Sequence, residues 1–235
     1  MPNDKKADTA PDAHLLEHRT GGRTLLSGGF LDVQRDDVRL PDGSHATREF
    51  IQHGGAVAVV ALLDDGRLVL VRQYRYPLAQ VLLELPAGKR DAGESSWACA
   101  QRELLEETGY TATEWAYGGV LHNAAAYSTE HIWLWFARGL VAGDKRPDEG
   151  EFVETVLHSE QSLDALDAAG QLTDAKTLIG LAWWRAAQEG RRGCTWMSAE
   201  QAASSGLGAV ASAPSTPERP PERSPERPPE RPHTA

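Results

Sequence analysis

Residues 102–109 read RELLEETG, and this stretch constrains the chain more than any other. It closes an amphipathic segment, 95–107, with Ser95 and Ser96 near its start and Gly109 just past its end, where a left-handed cap favours glycine. The pattern predicts a helix. On that helix Glu103 lies one turn from both Glu106 and Glu107, positions that share a face. Like charges at that spacing repel, and anions in a last helical turn also oppose the helix dipole. Local physics therefore disfavours the cluster twice. A bound hard cation, which takes oxygen ligands, would offset both effects. The bland alternative is a solvated acidic face with Arg102 as its counter-ion.

The flanking segments read mostly as strands. LPDG at 40–43 is a turn signal between FLDVQRDDVR and HATREFIQH, so two or three strands are expected between about 23 and 53. GAVAVVALL (55–63) and RLVLVRQY (67–74) are apolar strands joined by DDG, and VLLE (81–84) is a short strand before a Pro-Ala-Gly break. WAYGGVLH (115–122), HIWLWFAR (131–138) and FVETVLH (152–158) follow the helix, and 174–190 is a second amphipathic helix with Gly190 at its end. Strands before and after a central helix argue for an α+β or α/β sandwich and against a doubly wound fold. Trp133 and Trp135 fall on one strand face and Trp183 and Trp184 on the second helix, positions that suit core or dimer packing better than base stacking.

The spacing around RELLEETG adds a sharper signal. From Gly88 the chain reads GKRDAGESSWACAQRELLEETGY: glycine, five residues, Glu94, seven residues, Arg102-Glu103-Leu104, one residue, Glu106-Glu107, one residue, Gly109-Tyr110. It resembles the Nudix box at all nine specified positions. The resemblance, which runs from about residue 22 to 190, implies a Nudix fold: a mixed β-sheet sandwiched between helices, here with an N-terminal antiparallel strand extension. It implies Mg²⁺-dependent hydrolysis (Mn²⁺ being a possible substitute) of a nucleoside diphosphate linked to another group. By the same resemblance Glu103, Glu107 and the carbonyl of Ala87 ligate the metal, Glu106 and Glu94 support the site, and Arg102 orients a box carboxylate. Gly88 and Gly109 shape the loop–helix–loop, and Leu104 and Tyr110 face the core.

Other features resemble the ADP-ribose pyrophosphatase and nucleoside diphosphate sugar hydrolase branch. Arg48 in TREF and Arg75 in RQYR match arginines that contact substrate in similar enzymes, where a guanidinium pairs with phosphate in two-point fashion. DEGEFVE (148–154) matches a loop that supplies a base and a further metal ligand. Glu149 matches the base and Glu151 the ligand, a register that one step would exchange, so both stand beside Glu106 as the expected catalytic set. The resemblance further implies a homodimer through the N-terminal strands. One departure is Ala125, which stands where the branch usually has proline. It leaves GDP-mannose or a dinucleotide as alternatives to ADP-ribose. A non-catalytic ligand sensor is the alternative outside the enzyme class.

A net charge of −10 argues against nucleic acid and anionic membranes as partners. It also means that a phosphate substrate would need local cations. No apolar run reaches the length of a membrane span, the first nineteen residues lack an apolar core, and two cysteines cannot build a disulfide framework, so a cytoplasmic protein is expected. The expected organisation is a disordered segment at 1–13, N-terminal strands at 14–53, a hydrolase domain at 54–192 and a disordered Pro/Glu/Arg-rich tail at 193–235.

Overall fold

The computed structural model describes residues 12–146 and 150–208. Residues 1–11, Glu149 and the Glu-Arg-Pro repeat from 214 on lie outside the described residues. Three strands come first: β1 (His18–Ser27), β2 (Asp32–Arg39) and β3 (His45–Ile51) form an antiparallel sheet of their own. The LPDG turn joins β2 to β3, with Asp42 accepting the backbone N–H of Ser44 at 2.9 Å.

An eight-stranded mixed sheet follows. Its main path contains β4 (Ala56–Leu62), β5 (Leu68–Arg75), β8 (Tyr110–His122), β9 (His131–Ala142), β10 (Val153–His158) and β11 (Met197–Ser198), in the order β10-β5-β4-β9-β8-β11. Two short strands branch from it. β6 (Gln80–Glu84) pairs with β5, and β7 (Ala87–Lys89) pairs with β4. The β4–β9 pairing is parallel and the others are antiparallel.

The central strand explains the layers. Residues in a strand point alternately to opposite faces, and β4 is apolar on both, as a strand covered on two sides must be. Val57, Val59 and Ala61 join Trp115, Trp133 and Trp135 in one core with Cys99, Ala100 and Leu104 of α1 (Ser96–Thr108). Ala58 and Val60 join Leu134 and Phe136 in a second core on the other face. That core is closed by Leu163 of α2 (Glu160–Ala168) and Leu181 of α3 (Ala175–Gln188). Trp183 and Trp184 pack half-buried against it, and Tyr110 packs against the first.

The tail boundary expected at 193 requires correction. Met197 pairs with Trp115 across β11 and β8, and α4 (Ala199–Ser204) buries Ala202 against the first core. A reciprocal cap between Ser198 and Gln201 starts that helix. The alanines, serines and glycines of 198–208 carry too little apolar periodicity to reveal it. No helix among the described residues is long and apolar enough to cross a membrane.

Candidate active site

Helix α1 aims the carboxylates inward. Ser95 caps its start by accepting the Ala98 N–H at 3.1 Å, and Gly109 ends it at φ 77°. Cys99, Glu103 and Glu107, spaced four apart, line one buried stripe. Glu103 is 8% exposed and Glu107 2%. The solvated acidic face is thereby excluded for these two residues.

Arg102 ties the loop to the helix. Its Nε and Nη2 donate to the two oxygens of Glu94, each at 3.0 Å, and its Nη1 donates to Glu103 at 2.7 Å and Glu106 at 2.9 Å. Nη2 also reaches the Lys89 carbonyl at 3.1 Å. These carboxylates hold the guanidinium far above its ordinary pKa, the Glu94 hydrogen bonds most of all. Glu107 instead accepts the Ala87 N–H at 2.9 Å, which fastens the helix to β7. Burial pushes Glu107 up to about 8 and Glu103 up to about 7, with the neighbouring Glu151 charge adding to both. Without a cation, then, Glu107 is largely protonated at neutral pH and Glu103 partly so.

Above this helix lies a cavity of about 510 Å³. Ala87, Gly88 and Glu151 border it on the α1 side, Arg75, Glu84 and Lys176 form another stretch of wall, and His53, Asn123 and Glu130 a third. Gln73 donates to Glu151 at 3.0 Å and Asn123 to Glu130 at 3.0 Å. Arg75 grips Glu84 through Nε at 2.7 Å and Nη2 at 2.6 Å.

The structure thus gathers Glu94, Arg102, Glu103, Glu106 and Glu107 into one network, and it sets Ala87, Gly88, Glu151 and Arg75 around one cavity. Arg48 stands apart. It is exposed on β3, bonds Glu17 from Nε at 2.9 Å, and does not line the cavity of its own chain. Sequence reading missed Glu84, Lys176, Gln73 and His53. The signal for the first two was a charge set against apolar neighbours, at the end of VLLE and within AKTLIGLAWW.

Among the described residues no three His, Cys, Asp or Glu side chains converge closely enough to hold an ion unaided. The donors nevertheless suit a hard cation. They are all oxygens, two are buried carboxylates of raised pKa, and a Cβ on Gly88 would fall on the Glu103 carboxylate, so the glycine keeps that pocket open. Mg²⁺ retains several waters and shares substrate phosphates rather than demanding an all-protein cage.

Two family models match adjoining stretches of the chain. Residues 52–179 match the model of the NUDIX domain, and residues 17–51 match that of the nucleoside diphosphate sugar hydrolase N-terminal domain. The chain is 37% identical to a Bacillus subtilis (strain 168) protein named ADP-ribose pyrophosphatase, over 71% of this chain and 91% of that one. It is 30% identical to the Mus musculus ADP-sugar pyrophosphatase, over 75% and 89% respectively. A solved structure described as an ADP compounds hydrolase superposes with a TM-score of 0.68 at 23% identity, covering 75% of this chain and 97% of that one, and so supports the fold.

Proposed function

The chain belongs to the Nudix hydrolase family, and from that premise we propose that it cleaves the diphosphate bond of ADP-ribose or a related nucleoside diphosphate sugar. The products would be a nucleoside monophosphate and a sugar phosphate. The observation that carries this reading is the buried pair Glu103 and Glu107 beneath a cavity whose wall presents Arg75. Relatives named ADP-ribose and ADP-sugar pyrophosphatase support the substrate class.

Glu103, Glu107 and the Ala87 carbonyl, with Glu151, would hold Mg²⁺. The ion supplies charge neutralisation of the diphosphate and an acidified water. Arg102 keeps Glu103 and Glu106 in place, and its grip on Glu94 fixes the loop above them. Arg75 offers a guanidinium to a phosphate oxygen. Gln73 holds Glu151 at the cavity, and Glu149 or Glu151 would take the proton from an attacking water. Arg48 acts from the N-terminal sheet of a second copy, which makes the working form a homodimer. Two free cysteines suit a reducing, cytoplasmic setting.

The test is a substrate panel of ADP-ribose, ADP-glucose, GDP-mannose, UDP-glucose, NADH and diadenosine polyphosphates, each with Mg²⁺ and with Mn²⁺. Turnover of ADP-ribose to AMP and ribose 5-phosphate is expected. Binding without product across the whole panel would refute hydrolysis and favour a sensor.

A further inference from the structure

Glu84 ends β6 only 1% exposed, an acid inside the wall of the cavity. Two cations share it. Arg75 takes both oxygens, and the Lys176 ammonium bonds the oxygen that Arg75 Nη2 also uses. Lys176 donates in addition to Asp174 at 3.0 Å. It is 9% exposed and sits in the first turn of α3, where the helix dipole repels a cation. Burying an ammonium there is costly unless it is paired, so packing alone does not account for the residue.

The same helix start holds the backbone nearby. Asp174 caps α3 by accepting the Thr177 N–H at 3.0 Å and its hydroxyl at 2.6 Å. The Thr177 hydroxyl accepts the Leu85 N–H at 2.8 Å. Glu84 and Leu85 are therefore fixed through side chain and backbone at once, three and two residues before Ala87. Arg75 spends Nε and Nη2 on Glu84, leaving Nη1 on a side chain that is 39% exposed at the cavity.

We propose that Lys176 is a positioning residue for phosphate recognition: by sharing Glu84 it holds Arg75 in place while leaving the Arg75 charge incompletely cancelled toward a bound diphosphate. The inference rests on reading the cavity as a diphosphate site. Arg75 and Lys176 balance Glu84 and Asp174, so this part of the wall is neutral overall. Without Lys176, two carboxylates face Arg75 alone and the wall turns negative. In a chain of net charge −10 that difference opposes an anionic ligand directly.

The test titrates the full chain with inorganic pyrophosphate at saturating Mg²⁺ in a calorimeter, with steady-state kinetics on ADP-ribose alongside. Lys176→Met should weaken pyrophosphate binding and raise KM by about tenfold, the effect of one uncompensated charge at partly screened range, while kcat moves much less. Lys176→Arg should restore most of the affinity. The double variant Lys176→Met/Asp174→Asn removes the excess negative charge and keeps a capping residue, so it should recover much of the loss. Asp174→Asn alone should tighten pyrophosphate binding, and this arm stands even where Lys176→Met fails to fold. Unchanged binding in Lys176→Met, no recovery in the double variant, no tightening in Asp174→Asn, or a wild type that does not bind pyrophosphate would each overturn the inference. The expected shifts in a protein that hydrolyses no nucleoside diphosphate sugar would uphold it and overturn only the proposed activity.

Discussion

Gly88 and Glu103 occupy touching positions: a Cβ on the glycine would coincide with the carboxylate of the glutamate. The glycine is needed for space, because no backbone strain requires it there. Gly88→Ala should therefore displace Glu103 and loosen its bond to Arg102. Overpacking of this kind costs about 1–3 kcal/mol of stability. Activity should suffer more if Glu103 holds the proposed metal, because a reacting-site group displaced by about 1 Å costs on the order of a hundredfold in rate. Melting temperature and kcat/KM measured together check this, and an alanine variant with wild-type kcat/KM would show that Glu103 has room to spare.

The raised carboxyls make metal-free stability fall with pH. Glu103 and Glu107 titrate near 7 and 8 in the fold and near 4.5 in the unfolded chain. A group whose folded pKa is raised contributes stability that is full below the unfolded value and is lost as pH rises through the folded value. His53 and His158, held below their usual 6.5 by burial, act in the opposite sense, and their effect fades as pH rises above about 7. Between pH 6.5 and 8.5 the carboxyls dominate, with the buried Cys99 and Cys194 thiols adding in the same sense near the upper end, and the protein in chelator should lose about 2 kcal/mol, or roughly 5 °C of melting temperature. Saturating Mg²⁺ should flatten that slope by binding the ionised forms. A slope in chelator no steeper than in Mg²⁺ would contradict the assignment.

Substitution separates the two glutamates' roles in folding and in turnover. Glu107 is protonated near neutral pH without metal and accepts the Ala87 N–H, a bond that an amide oxygen can also accept. Glu107→Gln should fold normally and melt no lower than wild type in chelator, yet lose turnover by at least about a thousandfold, as expected when a charge-stabilising group is removed. Glu103→Gln should likewise melt no lower in chelator and gain less from millimolar Mg²⁺. Sodium at equal ionic strength should reproduce none of that gain. Equal stabilisation of wild type and Glu103→Gln by Mg²⁺ would return these residues to a surface-charge explanation.

What sequence reading reached, and what it missed, follows from the range of the forces involved. The helix α1 and its caps are local, and Ser95, Gly109 and the four-residue stripe Cys99–Glu103–Glu107 are visible in the chain itself. The strands were legible where they are apolar, as in β4. Glu84 and Lys176 were not legible as a pair, because they lie 92 positions apart and only the fold brings them together. β11 and α4 were missed for a related reason: only contact with Trp115 and the first core turns a short, small-residue segment into structure.

Arg48 supplies the remaining prediction. It was expected at the substrate, and in its own chain it bonds Glu17, just before β1, instead. The N-terminal sheet exposes Leu25 and Leu26, at 43% and 50%, and the loop from β1 to β2 exposes Phe30 at 73%. Apolar groups so placed suit a subunit contact. If two copies pair there, each Arg48 reaches the partner's cavity and the solution mass is twice 25.5 kDa. Leu26→Glu should then give a monomer with reduced activity. A sharper test mixes two weak variants, Arg48→Ala and Glu107→Gln, under conditions that exchange subunits. In a mixed dimer the intact carboxylates of the first chain meet the intact arginine of the second, so one site of the two is complete. Activity should rise well above the sum of the separate variants. An arginine that serves its own chain would give no rise, and a light-scattering mass of one chain at micromolar concentration would remove the dimer altogether.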